Sequence, residues 1–337
     1  MNEHVPAGRR TLYERGPLRR ALLDTSVLTT DIIAATRRPR PSSFTEGARE
    51  GTVRCLIPVH VWEEVPRVLA DRHREGGLFD LGRALELWQS RYAPVLYVVD
   101  TTGLPMTPEA EVLAGRDASD VPMLLLAGVI APVVIIGTDA DLLDSGLAAD
   151  NWAALRAALG DVGVTEGRMA DLERQVGVLA RWTGALAKVT VKQLSGRKQR
   201  TIGAVLLTAV GVLIWQHRKN PQVPSQPSQG QVLRPLVLES SKRLAALTAR
   251  HTRGEDLWRQ AELGTPGDTL LHRVARTLVT SWEPLTRTAI VERLGEAVPG
   301  AGHSARMAAV LDVLTAHATF VDVTGQGHWQ VGRLGSR

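Results

Sequence analysis

Four short apolar runs punctuate the first half of the chain, with helical patterns between them. The runs are ALLD (Ala21–Asp24), VRCLIPV (Val53–Val59), VLYVVD (Val95–Asp100) and PVVIIGT (Pro132–Thr138). Between them, VWEEVPRVLADRH and LGRALELWQSRY carry apolar residues three and four apart, the repeat of an amphipathic helix. DVPMLLLAGVIA is apolar nearly all round and predicts a largely buried helix. Apolar strands alternating with helices predict a mostly parallel sheet covered on both faces, an α/β domain over residues 20–160. No closing strand is predicted between Asp144 and Leu159.

The pattern then changes. Residues 161–220 read as a helical segment, first amphipathic, with Leu172, Val176, Leu179, Trp182 and Leu186 on one face. Ile202–Trp215 is apolar on every side, and PQVPSQPSQGQ (Pro221–Gln231) has the composition of a flexible polar linker. Over 264–334, DTLLHRVARTLVTSW, TRTAIVERLGEAV and SARMAAVLDVLTAH predict three helices, and FVDVTGQGHWQV predicts a hairpin turning at Gly325, Gln326 and Gly327. Three helices followed by a hairpin resemble a winged helix.

Charge sharpens this division. The 337 residues carry a net charge of +5, yet no Asp or Glu occurs between Glu173 and Glu239. Arg181, Lys188, Lys192, Arg197, Lys198 and Arg200 fall in that interval and form a candidate surface for RNA phosphates or an anionic membrane. The C-terminal block is nearly balanced, with Arg306 the one cation on its presumed recognition helix, Ser304–His317. Contact with DNA, with a protein or with RNA are therefore all open for it. Cys55 is the single cysteine, which excludes an intramolecular disulfide framework and suits a reducing compartment. The N-terminal stretch is basic without an apolar core, so no secretory signal is expected.

The apolar run Ile202–Trp215 is 14 residues long, short of the ~20 that span a bilayer. A single span would also put the two flanking modules on opposite sides of a membrane. The favoured reading is a helix packed within the protein or against a partner, in the cytoplasm. Basic flanks and Trp215 keep attachment to the cytoplasmic face of a membrane as the alternative.

The candidate chemistry lies in acids that end the apolar runs. Asp24 follows the first, Glu64, with Glu63 beside it, sits on the helix after the second, Asp117 and Asp120 precede the buried helix, and Asp139 and Asp141 follow the fourth. In an open parallel sheet these positions share the carboxyl edge, where ligands bind. Carboxylates gathered without cations repel, and a hard divalent ion, Mg²⁺ or Mn²⁺, is their natural neutraliser. Such an ion lowers the pKa of a water and stabilises charge on a phosphate, which points to phosphodiester hydrolysis. Each acid also has an ordinary alternative: Asp24 and Asp120 as helix caps, Glu64 as a solvated helix charge, Asp139 with Asp141 as a turn.

LLDTSVL, the Glu64 helix, DASDVPMLLLA and GTDADLL, in this order, resemble the PIN-domain nucleases over roughly Arg20 to Gly160. The resemblance implies metal-binding and catalytic acids at Asp24, Glu64, Asp120 and Asp139, and accessory acids at Asp117 and Asp141. Thr25, Ser26 and Thr138 match its small hydroxyl residues. It implies a metal-dependent endoribonuclease, with toxins of toxin–antitoxin pairs among its bacterial members. The rival expectation is a non-catalytic regulator that binds nucleic acid or protein through the winged-helix-like module. A homo-oligomer is open under either.

Overall fold

The computed structural model describes residues 18–38, 42–144, 148–149, 151–163, 165–166, 246, 248–262, 264–265 and 267–335. The basic positions Arg181, Lys188, Lys192, Arg197, Lys198 and Arg200, the run Ile202–Trp215 and the linker Pro221–Gln231 lie outside the described residues. Among the described residues no helix is long and apolar enough to cross a membrane. The chain divides into two units: the described residues of Arg15–Val164 and Gly254–Arg337 form one, and those of Thr165–Arg253 the other. In the second unit His251 Nε2 lies 3.2 Å from Glu166 Oε1.

The first unit is built on a six-stranded, mostly parallel sheet in the order β5-β4-β1-β2-β3-β9. Its centre is β1 (Arg19–Leu23), parallel both to β2 (Val53–Pro58) and to β4 (Val134–Ile136). All six positions of β2 are buried, as befits a strand covered on both faces. Chain direction follows from its ends: Asp24 caps α1 (Thr25–Thr36), and Pro58 closes β2 and opens α3 (Val59–Arg74). α1 packs on α3 and on α4 (Leu81–Leu87). β3 (Leu96–Val99) extends the sheet beyond β2. The chain then passes through α5 (Pro108–Ala114) and α6 (Val121–Ile130) to β4 on the far side of β1. Right-handed crossovers made in opposite directions along a sheet place their helices on opposite faces.

A buried ionic cluster ties α1 to its surroundings. Asp31, fully buried on α1, accepts from Tyr92 Oη at 2.7 Å and from Ser42 Oγ, and Arg156 Nε pairs with it at 2.8 Å. Ser42 caps α2 (Ser43–Arg49) and Arg156 belongs to α8 (152–163), so one carboxylate joins three elements. Burial and the neighbouring Asp31 charge push the Tyr92 hydroxyl well above its ordinary range.

The other sheet face carries a row of polar and aromatic side chains. Arg20 stands opposite Arg54, and the two-residue alternation of a strand sends both to the same side. Arg54 lies 4.6 Å from the Tyr97 ring centroid and donates to the carbonyls of Leu278 at 2.9 Å and Ser281 at 2.7 Å. Those carbonyls end α9 (Leu270–Val279). Arg20 donates to Ile130 O, at the end of α6, at 3.3 Å. Each guanidinium thus meets the negative end of a helix, which supplies some of the favourable charge that burial removes. Burial still lowers the pKa of both.

Past α9 the chain forms β6 (Leu285–Thr286), α10 (Arg287–Leu294), α11 (His303–Ala316), β7 (Phe320–Asp322) and β8 (His328–Val331). The strands make a three-stranded antiparallel sheet in the order β6-β8-β7. Asp322 closes the hairpin by accepting from Gly327 N at 2.7 Å and His328 N at 3.1 Å. The chain then returns to the first sheet, where β9 (Arg333–Leu334) pairs antiparallel with β3. Gly332 makes that return possible: its φ is +67°, and a Cβ there would lie 2.7 Å from Val98 O.

One expectation is corrected. A closing strand does exist between Asp144 and Leu159: β5 (Ala148–Ala149) runs parallel to β4. Two alanines are too few to give a period-two pattern, so the strand is invisible to periodicity.

Arg54→Met is expected to lower the unfolding free energy by about 2–3 kcal/mol, because two buried helix-end carbonyls lose charge-assisted donors. Chemical denaturation of the full chain measures it.

Candidate functional site

The parallel pairing of β1 with β4 places their carboxyl ends side by side. Asp24 N continues the ladder by donating to Ile136 O at 3.0 Å. A Cβ on Gly137 would approach Asp24 Cβ to 3.3 Å, so a residue without a side chain lets the two strand ends close. Asp24 is buried at 5% exposure, and its Oδ2 accepts from Ser26 N at 3.0 Å and from Ser26 Oγ. Ser26 Oγ in turn accepts from Thr138 N at 3.0 Å, so one hydroxyl couples the start of α1 to the loop after β4.

Glu64 reaches this edge from α3. It is half-buried, whereas neighbouring Glu63 is exposed. Thr25 Oγ1 donates to Glu64 Oε2 at 2.8 Å, and Arg67 Nη2 reaches Oε1 at 3.1 Å. Asp139 follows β4 at the start of α7 (Ala140–Asp144), and its Oδ1 accepts from Asp141 N at 2.8 Å. Asp117 is turned by Ser119, whose N and Oγ donate to its Oδ1 at 2.8 and 2.6 Å.

Asp120 is the member without a local role. It occupies the cap position of α6 yet makes no side-chain capping bond, although Asp24 does cap its helix. Burial, followed by the charges of Asp24, Asp139, Asp117 and Glu64, pushes the Asp120 carboxyl up to about 7. Four acids from four parts of the chain thus act on one side chain. Burial raises Asp24 too; the Ser26 hydrogen bonds oppose this, and the Asp139 charge adds to it. Asp117 is held low by its Ser119 bonds. Among the described residues, no three of these acids bring one oxygen each within 4.8 Å of one another.

His60 escaped the sequence reading. It lies one turn before Glu64 on α3, and the charges of Glu64, Asp24, Asp117 and Glu63 all act on it. Its position two residues past a strand-ending Pro58 was the available sign. Arg306, by contrast, turns back onto its own module, where Nη1 reaches Gly295 O at 3.4 Å.

Asp120 gives the site a pH signature. The folded chain holds this proton up to about pH 7, whereas an unfolded Asp releases it near 3.8. Stability that the proton confers at low pH is therefore lost as pH rises through that window. Asp120→Asn is expected to stabilise the protein by about 1 kcal/mol near pH 8 and by close to nothing near pH 4, after discounting for solvent screening. Denaturant titrations at the two pH values compare them. No family model matches the chain, and no curated protein or solved structure matches it either.

Proposed function

We propose that this protein is a PIN-like, metal-dependent endoribonuclease that hydrolyses RNA phosphodiesters. The observation that carries the reading is the placement of Asp24 and Asp139 after two paired parallel strands, with Glu64 on the helix that follows β2 and Asp120 at the start of α6, toward one carboxyl edge of the sheet. The order of the motifs along the sequence supports it.

The donor set suits Mg²⁺ or Mn²⁺. It consists of carboxylate oxygens, and Asp120, raised first by burial and then by the charges of its acidic neighbours, would be relieved by a cation. Asp24, Asp120, Asp139 and Glu64 would hold the ion. When bound, such an ion activates water and stabilises charge that builds on a phosphate. The chain's own residues supply orientation. Ser26 fixes the Asp24 carboxylate and Thr25 fixes that of Glu64, so neither must be ordered when RNA arrives. Asp120 can hold a proton near neutrality, so cation and proton compete for it. Arg67, 70% exposed beside Glu64, stands where a substrate phosphate would enter.

We read the C-terminal module, with its three helices and three-stranded antiparallel sheet, as winged-helix-like, and assign it a role in placing RNA. The same topology favours the second reading, a non-catalytic regulator. The two part on cleavage.

Purified full-length protein with Mn²⁺ is expected to cleave RNA, structured or unstructured. The double variant Asp24→Asn, Asp139→Asn should lose at least about a hundredfold in rate, the equivalent of about 3 kcal/mol of charge stabilisation. Equal cleavage by wild type and variant defeats the nuclease reading. Chelation by EDTA should abolish activity, and added Mn²⁺ should restore it.

A further inference from the structure

Two exposed arginines lie beside acids of the carboxyl edge, one from each side. Arg67 is on α3 (Val59–Arg74), where side chains lean back toward the N-terminal end, and its Nη2 meets Glu64 Oε1 at 3.1 Å. Glu64 in turn takes the hydroxyl of Thr25, the neighbour of Asp24, at 2.8 Å. Arg116 stands between α5 (Pro108–Ala114) and α6 (Val121–Ile130), directly before Asp117, and its Nη1 lies 3.9 Å from Asp144 Oδ2 at the end of α7 (Ala140–Asp144). The sheet order fixes how these flanks relate. β1, which leads to Asp24, runs between β2, which opens into α3, and β4, which leads through Asp139 into α7. Arg67 therefore marks the β2 side of the acids and Arg116 the β4 side.

Neither ion pair accounts for its arginine. Among the described residues each guanidinium meets one carboxylate oxygen, although its planar fork can take both oxygens of one anion. The two side chains are 70% and 55% exposed, and ion pairs in that setting add little to stability. A phosphate that engages the fork with parallel hydrogen bonds displaces such partners readily. The edge also needs cations for its proposed task. Asp24, Glu64, Asp117, Asp120, Asp139 and Asp144 repel a polyanion, and a divalent ion offsets only part of that charge.

We infer that Arg67 and Arg116 clamp backbone phosphates of single-stranded RNA, one on each side of the scissile link. The inference rests on the acid edge as the place of cleavage. The strand then crosses that edge from the α3 side to the α7 side, past the ends of β1 and β4.

Binding of a labelled single-stranded oligoribonucleotide to the full-length protein, followed by fluorescence anisotropy in EDTA over a range of salt, tests the clamp without cleavage. Wild type is expected to bind with an affinity that falls as salt rises. Arg67→Gln and Arg116→Gln should each flatten the slope of log affinity against log salt by about 0.7, the share of one phosphate contact on a single strand. Arg74→Gln is the control: it removes a similarly exposed arginine from an i,i+3 pair on the same helix, about two turns further from the edge, and should leave the slope unchanged. Absence of RNA binding by wild type, slopes unchanged in both edge variants, or equal flattening by Arg74→Gln overturns the clamp. A slope flattened in one edge variant alone overturns its two-sided arrangement. None of these results touches the nuclease reading while Mn²⁺-dependent cleavage still requires Asp24 and Asp139; loss of that requirement overturns the reading and the clamp together.

Discussion

The pairing of β1 with β4 is the constraint from which the site follows. These strands are far apart in sequence, yet their parallel register sets Leu23 opposite Ile136, and the ladder continues through the Asp24 amide. Once the two strand ends are side by side, Asp24 and Asp139 share one edge, and the helices starting there carry in Asp120 and Glu64. The result is an electrostatic conflict. Folding of the strands brings these charges to one edge, and burial, followed by the neighbouring acids, raises the proton affinity of Asp120.

Small polar contacts hold the conflict in shape. Ser26 links the Asp24 carboxylate to the loop after β4, and Thr25 links α1 to Glu64 on α3. Deep below, Asp31 performs a different task with the same chemistry. Paired with Arg156 and hydrogen-bonded by Tyr92 and Ser42, it is a satisfied ion that fastens α1 from beneath. The contrast separates a satisfied buried carboxylate from an unsatisfied one. Asp31 has a cation and donors; Asp120 has other acids for neighbours.

The C-terminal residues belong to the same unit for equally specific reasons. Arg20 and Arg54, adjacent on β1 and β2, reach the carboxyl ends of α6 and α9, and β9 completes the sheet at β3. On α3, the Trp62 ring lies tilted against Trp88, with centroids 5.0 Å apart, and occupies the place where a side chain on Gly335 would collide. The helix that presents His60 and Glu64 is thus held in part by the last residues described.

Much of the sheet was legible in the sequence because its strands are continuous apolar runs with acids at their ends, a local pattern. The same pattern exposed Asp24, Asp120 and Asp139 as candidates, since each sits where a run stops or a helix begins; Glu64, inside α3, was told from Glu63 only by the resemblance. What locality does not encode stayed hidden. β5 and β9 are two residues each, below the length at which alternation can be seen, and they exist only because a neighbouring edge offers hydrogen bonds. His60 bears no motif; its meaning comes from Asp24 and Asp117, which the tertiary fold alone brings near it. Likewise Asp120 differs from Asp24 in a single physical respect, a carboxylate that does not cap its helix, and that depends on packing in three dimensions.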